Sequence, residues 1–176
     1  VGTLINRHVL NLPTRMDMEQ EFMDMIHAGG HTPSVAFTKA EETPATEEEA
    51  SKLNLQPGTQ LMRIQKLCTA SKRPAIYCED IFDAALLRSP VTEQALRAPV
   101  FQLLQDNCRI NCFMDISQLK PIVATEELAE ILQIAPGTPL MYIEEVDFDV
   151  DGNPVLFSRQ YFVNDYFQYN IIRKRL

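Results

Sequence analysis

Three short stretches hold the side chains best suited to chemistry. In Ile64-Gln65-Lys66-Leu67-Cys68, read as a strand, alternation puts Ile64, Lys66 and Cys68 on one face. An ammonium turned the same way as two residues that favour burial can hold an anionic group of a ligand, or it can snorkel its head to the sheet edge. Glu79, on the strand that follows, can accept hydrogen bonds from a ligand hydroxyl or amine, or pair with a cation across the strands. In Ser158-Arg159-x-Tyr161, the serine and tyrosine can hydrogen-bond a ligand, while a tyrosine on a half-buried strand suits the core equally well with its hydroxyl at the rim. Arg159 reads as structural, because a two-residue turn at Asp151-Gly152 sets Glu144 opposite it. Metal and thiol chemistry have less support. Cys68, Cys78, Cys108 and Cys112 include no Cys-x-x-Cys pair, and His8, His27 and His31 lack zinc-type spacing, so neither metal nor cofactor is expected.

These residues need a scaffold, and 176 residues with 45% hydrophobic and 23% charged side chains suit one ordinary domain with a real core. With 16 Lys and Arg against 24 Asp and Glu, the net charge of -8 repels a phosphate backbone, so the chain is not expected to grip nucleic acid by itself. Arg173, Lys174 and Arg175 form the basic cluster, read as a solvated tail, and the acids at 41–42 and 47–49 read as a solvated face and a helix start. Apolar runs of a few residues fall far short of the roughly 18 that a membrane span requires. The four thiols read as reduced, hence cytoplasmic. Val1-Gly2-Thr3-Leu4 has neither an initiator Met nor a leader pattern and reads as a cut end with sequence missing upstream.

The strongest feature is an internal repeat. Thr46-Glu47-Glu48, Ala50, Leu53, Pro57-Gly58-Thr59, Leu61-Met62 and Ile64 recur 79 residues on as Thr125-Glu126-Glu127, Ala129, Leu132, Pro136-Gly137-Thr138, Leu140-Met141 and Ile143, eleven identities in nineteen positions. The units extend over 46–82 and 125–162. Two copies point to a duplicated supersecondary unit rather than a solenoid. Each reads as a short helix with a threonine cap, a Pro-Gly-Thr turn that stops it, and a long β-hairpin. Asp151-Gly152-Asn153 is a strong type I′ turn signal and Ser71-Lys72-Arg73 a weaker one. Around the units, the pattern predicts helices over Met16–Ala28 and near Val100–Asp106, and strands around Ser34–Glu42 and Arg109–Leu119. Hairpins supply most strands, so the class is α+β, a largely antiparallel sheet with helices packed to one side.

The ordered set Gly30 with Thr32-Pro33-Ser34, then Ala50-x-x-Leu53-x-Leu55-x-x-Gly58-Thr59-x-Leu61-x-x-Ile64, then Pro154-x-x-x-Ser158-Arg159-x-Tyr161-Phe162-x-x-Asp165, resembles the UTRA effector-binding domain of HutC-type GntR-family bacterial transcription regulators. That resemblance implies a chorismate lyase-like fold, a homodimer, and an effector bound between the sheet and the N-terminal helix. Gly2-Thr3-Leu4-Ile5 also resembles the end of the wing of the winged helix-turn-helix in these regulators. It implies that residues 1–8 close an upstream DNA-binding domain and that residues 9–176 form the effector-binding and dimerisation domain.

By the same resemblance, Phe22-Met23 matches a Phe-Thr pair that holds a phosphate in sugar-phosphate-sensing members, and Lys66 and Cys68 match two strand arginines. Glu79 matches a frequent Glu. Pro99 and Phe101 fall where Ser and Tyr are expected, Leu156 where a Glu is common, and Phe162 where a Tyr is usual. Phe22, Met23 and Phe101 then wall a pocket, or are plain core at helical spacing. These exchanges remove polar groups, and an unpartnered buried polar group costs about 1 to 3 kcal/mol, so the resemblance implies an effector smaller or more apolar than a sugar phosphate, with one carboxylate for Lys66. Two other readings stay open: a chorismate lyase-like enzyme, for which Lys66, Glu79 and Arg159 are a sparse set, and a dimerisation module with a vestigial pocket.

Overall fold

A computed structural model of the protein describes residue 18 and residues 20–173. The start of the chain, with the expected wing remnant at residues 1–8, lies outside the described residues, as do Met16, Asp17 and Glu19 of the expected first helix. Six strands form one sheet: β1 Pro33–Pro44, β2 Gln60–Ala70, β3 Arg73–Asp83, β4 Met114–Val123, β5 Pro139–Phe148 and β6 Pro154–Val163. Their order is β1-β2-β3-β6-β5-β4, and every described pairing is antiparallel. The sequence repeat is therefore a structural one. Each half supplies an edge strand, a helix and a hairpin, and the two hairpins join where β3 pairs with β6 at the centre.

Both repeats share the local chemistry that their identities specify. Helix α2, Glu47–Lys52, starts with a capping box in which the Thr46 hydroxyl accepts from Glu49 N and the Glu49 carboxylate accepts from Thr46 N. The second-unit helix, Glu126–Leu132, has the Thr125 hydroxyl accepting from Leu128 N, with leucine where the box needs an acid or amide. The helices end at left-handed Asn54 and Gln133 (φ 53° each), a turn before Pro-Gly-Thr. The motif instead launches the strands: Gly58 and Gly137, at positive φ, donate to Ala45 O and Ala124 O, and the Thr59 and Thr138 hydroxyls donate to Gln56 O and Ala135 O.

The turns differ from expectation in an instructive way. Ser71 and Lys72 both take positive φ, so the weaker signal forms the tight two-residue turn. The Asp-Gly segment is a wider loop, because the Asp149 carboxylate accepts from Asp151 N and Asn153 N and a register shift follows at Asp147/Phe148.

The remaining helices are α1 Phe22–Ala28, α3 Glu93–Arg97 and α4 Val100–Leu103, with the second-repeat helix becoming α5. The first helix is shorter than the expected Met16–Ala28, since Glu21 is already extended (ψ 140°). Helix α3, capped by Thr92, has no counterpart in the expectation, and the helix expected to Asp106 stops at Leu103 and gives way to a π-helical turn, Leu104–Cys108. Left-handed Arg109 then redirects the chain, which delays the strand expected from Arg109 until Met114.

The class is α+β as read from the sequence, but the helices do not all pack to one side. Helices α2 and α5 cover one face over Leu61, Ile81 and Phe157 and over Tyr77, Leu140 and Val163. The opposite face carries α1 over Cys68, Ile76 and Phe162, and α4 over Ile64, Phe82 and Leu156. Strand alternation requires this, because both faces of the central strands are apolar. Gly29 makes the approach of α1 possible: a Cβ there would lie 2.9 Å from the Tyr166 carbonyl oxygen.

Candidate functional site

The α1 and α4 helices do not close completely over their face of the sheet, and a cavity of about 320 Å³ remains between them. Its floor is set by register. Asp80, Ser158, Glu145 and Ser117 are successive partners across β3, β6, β5 and β4, so their side chains form one row on the same face. Lys66, Gln160 and Ile143 come from the neighbouring row, and Asp115 from the row on the other side. The wall consists of Glu21, Phe22 and Met25 at the start of α1, with Pro99, Val100 and Phe101 at the start of α4.

The floor is polar and charged although much of it is buried, with Asp80 2% exposed, Lys66 5% and Glu145 9%. Each charge must be partnered or neutralised there. Ser158 Oγ donates to Asp80 Oδ1 at 2.8 Å, and Lys66 Nζ donates to the Ala98 carbonyl oxygen at 2.6 Å. At the other end, Ser117 Oγ lies 2.7 Å from Asp115 Oδ2 and 2.8 Å from Glu145 Oε2. A hydroxyl carries one proton, so it donates to one of these carboxylates at a time. Burial pushes the Asp80 carboxyl up, opposed by the Lys66 ammonium and the Ser158 hydrogen bond. Burial raises Glu21 too, again opposed by Lys66.

Of the residues singled out from the sequence, Phe22, Lys66, Pro99, Phe101, Ser158 and Phe162 line this cavity. Met23 packs on the core beside α1, and Cys68 is fully buried between strands and helix, where desolvation pushes its thiol up to about 12. Glu79 and Tyr161 stand on the opposite face, as alternation demands once Lys66 pairs with Cys78 and Ser158 with Asp80. There Glu79 accepts from Gln65 and Tyr77, and Tyr161 stacks between Tyr77 and Tyr142. Arg159 is opposite Glu144 in register, yet it bonds Glu48 and Glu49, because Lys52 takes the Glu144 carboxylate at 2.6 Å.

The lining residues that the sequence reading missed include four acids, Glu21, Asp80, Asp115 and Glu145. The Ser71-Lys72 turn by itself would pair Lys66 with Tyr77 and set Glu79 on the Lys66 face; the register shift at Cys68/Thr69 pairs Lys66 with Cys78 and puts Asp80 there instead. The 79-residue repeat makes Glu145 the counterpart of Lys66. The cavity keeps an apolar wall, in which the exchanged positions Pro99, Phe101 and Phe162 take part, and adds four acids to it, while Met23, Cys68 and Leu156, three other exchanged positions, lie in the core and not on the cavity.

Comparison with known proteins agrees with this architecture. An uncharacterized HTH-type transcriptional regulator of Rhizobium meliloti, RB1450, is 26% identical over 129 residues, covering 70% of this chain and 51% of that protein. The chain thus spans about half the length of that curated relative. Among solved structures, PhnF from Mycobacterium smegmatis is similar with a TM-score of 0.80 at 13% identity, over 92% of this chain and 71% of that one. The C-terminal domain of Yurk from Bacillus subtilis gives 0.69 at 16% identity, over 80% and 95% of the two chains. A GntR-family transcriptional regulator from Enterococcus faecalis gives 0.68 at 16% identity, over 81% and 100%. At such identities the structural likeness speaks for the fold. The family model for the UTRA domain matches residues 28–168, most of the chain, and the chain belongs to the UTRA domain family.

Proposed function

We propose that this chain is the effector-sensing and dimerising domain of a transcription regulator, and that the cavity under α1 and α4 is its effector site. In this reading, residues 9–176 form the sensor, and residues 1–8 end an upstream winged helix that contacts DNA. The observation that carries the proposal is a roomy cavity with buried polar side chains on its floor, which a purely structural core would fill with apolar groups. Its lid is two short helices, Phe22–Ala28 and Val100–Leu103, so an effector touching both lid and sheet would favour one arrangement of the lid and pass a bias to whatever α1 connects to. The lining favours binding over the lyase alternative, since a lyase acting on a dicarboxylate needs paired cations and Lys66 is the one cation among the described lining residues. The edge strand β4, with exposed Met114, Ile116 and Val123, supports the dimer, since a second copy would cover this apolar edge.

A thermal-shift screen of the chain against a metabolite library tests the reading. A ligand at about 100 times its dissociation constant adds about 2.7 kcal/mol of stability. Ser117→Phe, which fills the cavity from the partly exposed edge strand, should abolish the shift. A library without a single stabilising compound would leave a vestigial-pocket dimerisation module, and sedimentation of the chain as a monomer would remove the dimer.

A further inference from the structure

The two helices over the cavity are held to the sheet in different ways. Helix α1 is fixed by packing, with Met25 and Ile26 buried in the core and Gly29 close against the Tyr166 carbonyl oxygen. Helix α4 divides in two. Its end and the π-helical turn after it are anchored by buried Leu103, Leu104 and Cys108. Asn107 fastens the turn to the chain before α3: its side-chain amide donates to Ser89 Oγ at 2.9 Å and Pro90 O at 3.1 Å, and its carbonyl accepts from Arg88 N at 2.8 Å. The first turn of α4 is held otherwise. Pro99, Val100 and Phe101, which form the α4 part of the cavity wall, are all partly exposed, and among the described residues no side chain caps the helix start.

The elbow between α3 and α4 ties this turn to the sheet. Lys66 Nζ, from the cavity floor, donates to Ala98 O at 2.6 Å, and Arg97 Nη1 donates to Val35 O at 2.9 Å. Two consecutive residues are thus pinned to β2 and β1 by one buried and one exposed cation. A hydrogen bond from a buried charged donor shifts an equilibrium by roughly ten- to hundred-fold, and an ordinary exposed one by about two- to five-fold. Releasing both pins gives up polar contacts and little apolar burial, whereas lifting α1 or the end of α4 exposes core.

Resting on the effector-site reading above, we infer that the cavity opens at the first turn of α4: residues 99–101 swing off the sheet on the anchored segment 103–108, and Lys66 and Arg97 are the latch. Lys66 is then a positioning residue, whose bond to Ala98 O sets where Val100 and Phe101 stand over the floor and so the room left for an effector. Helix α1 stays seated while this wall moves. Entry to the effector site is gated by one elbow, and the cation nearest the floor is part of the gate.

Amide hydrogen exchange followed by NMR at pH 7 tests this residue by residue. Leu103 N bonds Pro99 O at 3.1 Å and Leu104 N bonds Val100 O, so these two amides report the first turn. Met25 N, bonded to Glu21 O at 2.9 Å, reports the start of α1, and Arg88 N reports the Asn107 anchor. In Lys66→Met, Leu103 and Leu104 should exchange roughly ten- to hundred-fold faster than in the parent, and in Arg97→Ala about two- to five-fold faster. Met25 and Arg88 should stay within about two-fold of the parent in both variants. The Met25 amide separates a latch from charge alone, because the Lys66 ammonium also acts on Glu21 at the start of α1. Acceleration of Met25 equal to that of Leu103, or of neither, overturns the inference. Arg97 is exposed and carries no cavity charge, so Arg97→Ala decides the matter if Lys66→Met does not fold: unchanged exchange at Leu103 and Leu104 overturns the latch. Either negative result leaves the effector site standing, whereas a thermal-shift screen without a hit removes the effector and leaves the moving wall.

Discussion

Replacing Lys66 by methionine removes the positive charge from the cavity while keeping most of the side-chain volume. Two contributions are lost. The charge-assisted hydrogen bond to Ala98 O, 2.6 Å long, has a net worth of about 1.5 to 3 kcal/mol. Asp80, 2% exposed, then keeps the Ser158 hydroxyl but loses the ammonium whose field opposes its desolvation. Against these stands the desolvation cost that the ammonium no longer incurs, so the net expectation at pH 7 is a loss of about 1 to 3 kcal/mol.

The pH dependence gives the test its discrimination. Asp80 and Glu21 have folded-state pKa values raised above the usual range, chiefly by burial, with Lys66 opposing the rise. A raised carboxyl contributes stability below its unfolded pKa and loses it as pH climbs through the folded value. Removing Lys66 lifts both groups further, so Lys66→Met should be most damaging at neutral pH and recover as both carboxyls protonate on acidification. Urea denaturation at pH 7 and about pH 5, on the parent, Lys66→Met, Asp80→Asn and the double variant, measures this directly. The double variant should be more stable than the sum of single losses predicts, by about 1 to 3 kcal/mol. A Lys66→Met loss below about 0.5 kcal/mol, or one of equal size at both pH values, would refute the pairing argument.

Other expectations concern what holds the cavity in place. Glu49, 2% exposed, receives Arg63 at 2.8 Å and Arg159 at 3.2 Å; Glu49→Gln keeps the capping geometry but should cost about 2 to 3 kcal/mol in urea denaturation. Burial alone would raise this carboxyl, yet the hydrogen bonds from Arg63 and Thr46 hold it below the usual range, so its contribution is lost as pH falls through the folded value. The Gln variant should lose less stability on acidification than the parent. Gly29→Ala forces a Cβ to 2.9 Å from Tyr166 O and should lower stability by about 1 to 3 kcal/mol and loosen α1, seen as faster amide exchange in Phe22–Ala28. Cys68, pushed up to about 12 by burial, and fully buried Cys78 should resist iodoacetamide at pH 8 in the folded chain and react once urea unfolds it; labelling of both in the native chain would contradict the core assignment.

Much of the architecture was open to reading because its determinants are local. A threonine cap, a Pro-Gly-Thr launch and alternating apolar strands are specified within about twenty residues, and their recurrence 79 positions on made the duplication plain. Elements without such signatures were harder. Helix α3 and the π-helical turn depend on packing against the sheet, and Arg109 at φ 63° has no glycine to announce it. Within the site, strand parity was not legible from the Ser71-Lys72 turn, because the bulge at Cys68/Thr69 reverses it and carries no sequence signature. Ser158 and Tyr161, three apart on one strand, face opposite ways and cannot line the same cavity.

By itself, then, the sequence determined the class, the repeat, the hairpins and the family, since backbone hydrogen bonding and apolar periodicity act over short range. The tertiary structure decided the pocket. Asp80, Glu145 and Ser117 come from three strands and two repeats, and they meet because β3 pairs with β6 and β5 with β4, contacts made between residues far apart in the chain. Whether a buried acid is tolerated there depends on which ammonium, hydroxyl or carbonyl the fold brings within about 3 Å of it, and hydrogen bonding at that range is a property of three-dimensional neighbours rather than of spacing along the chain.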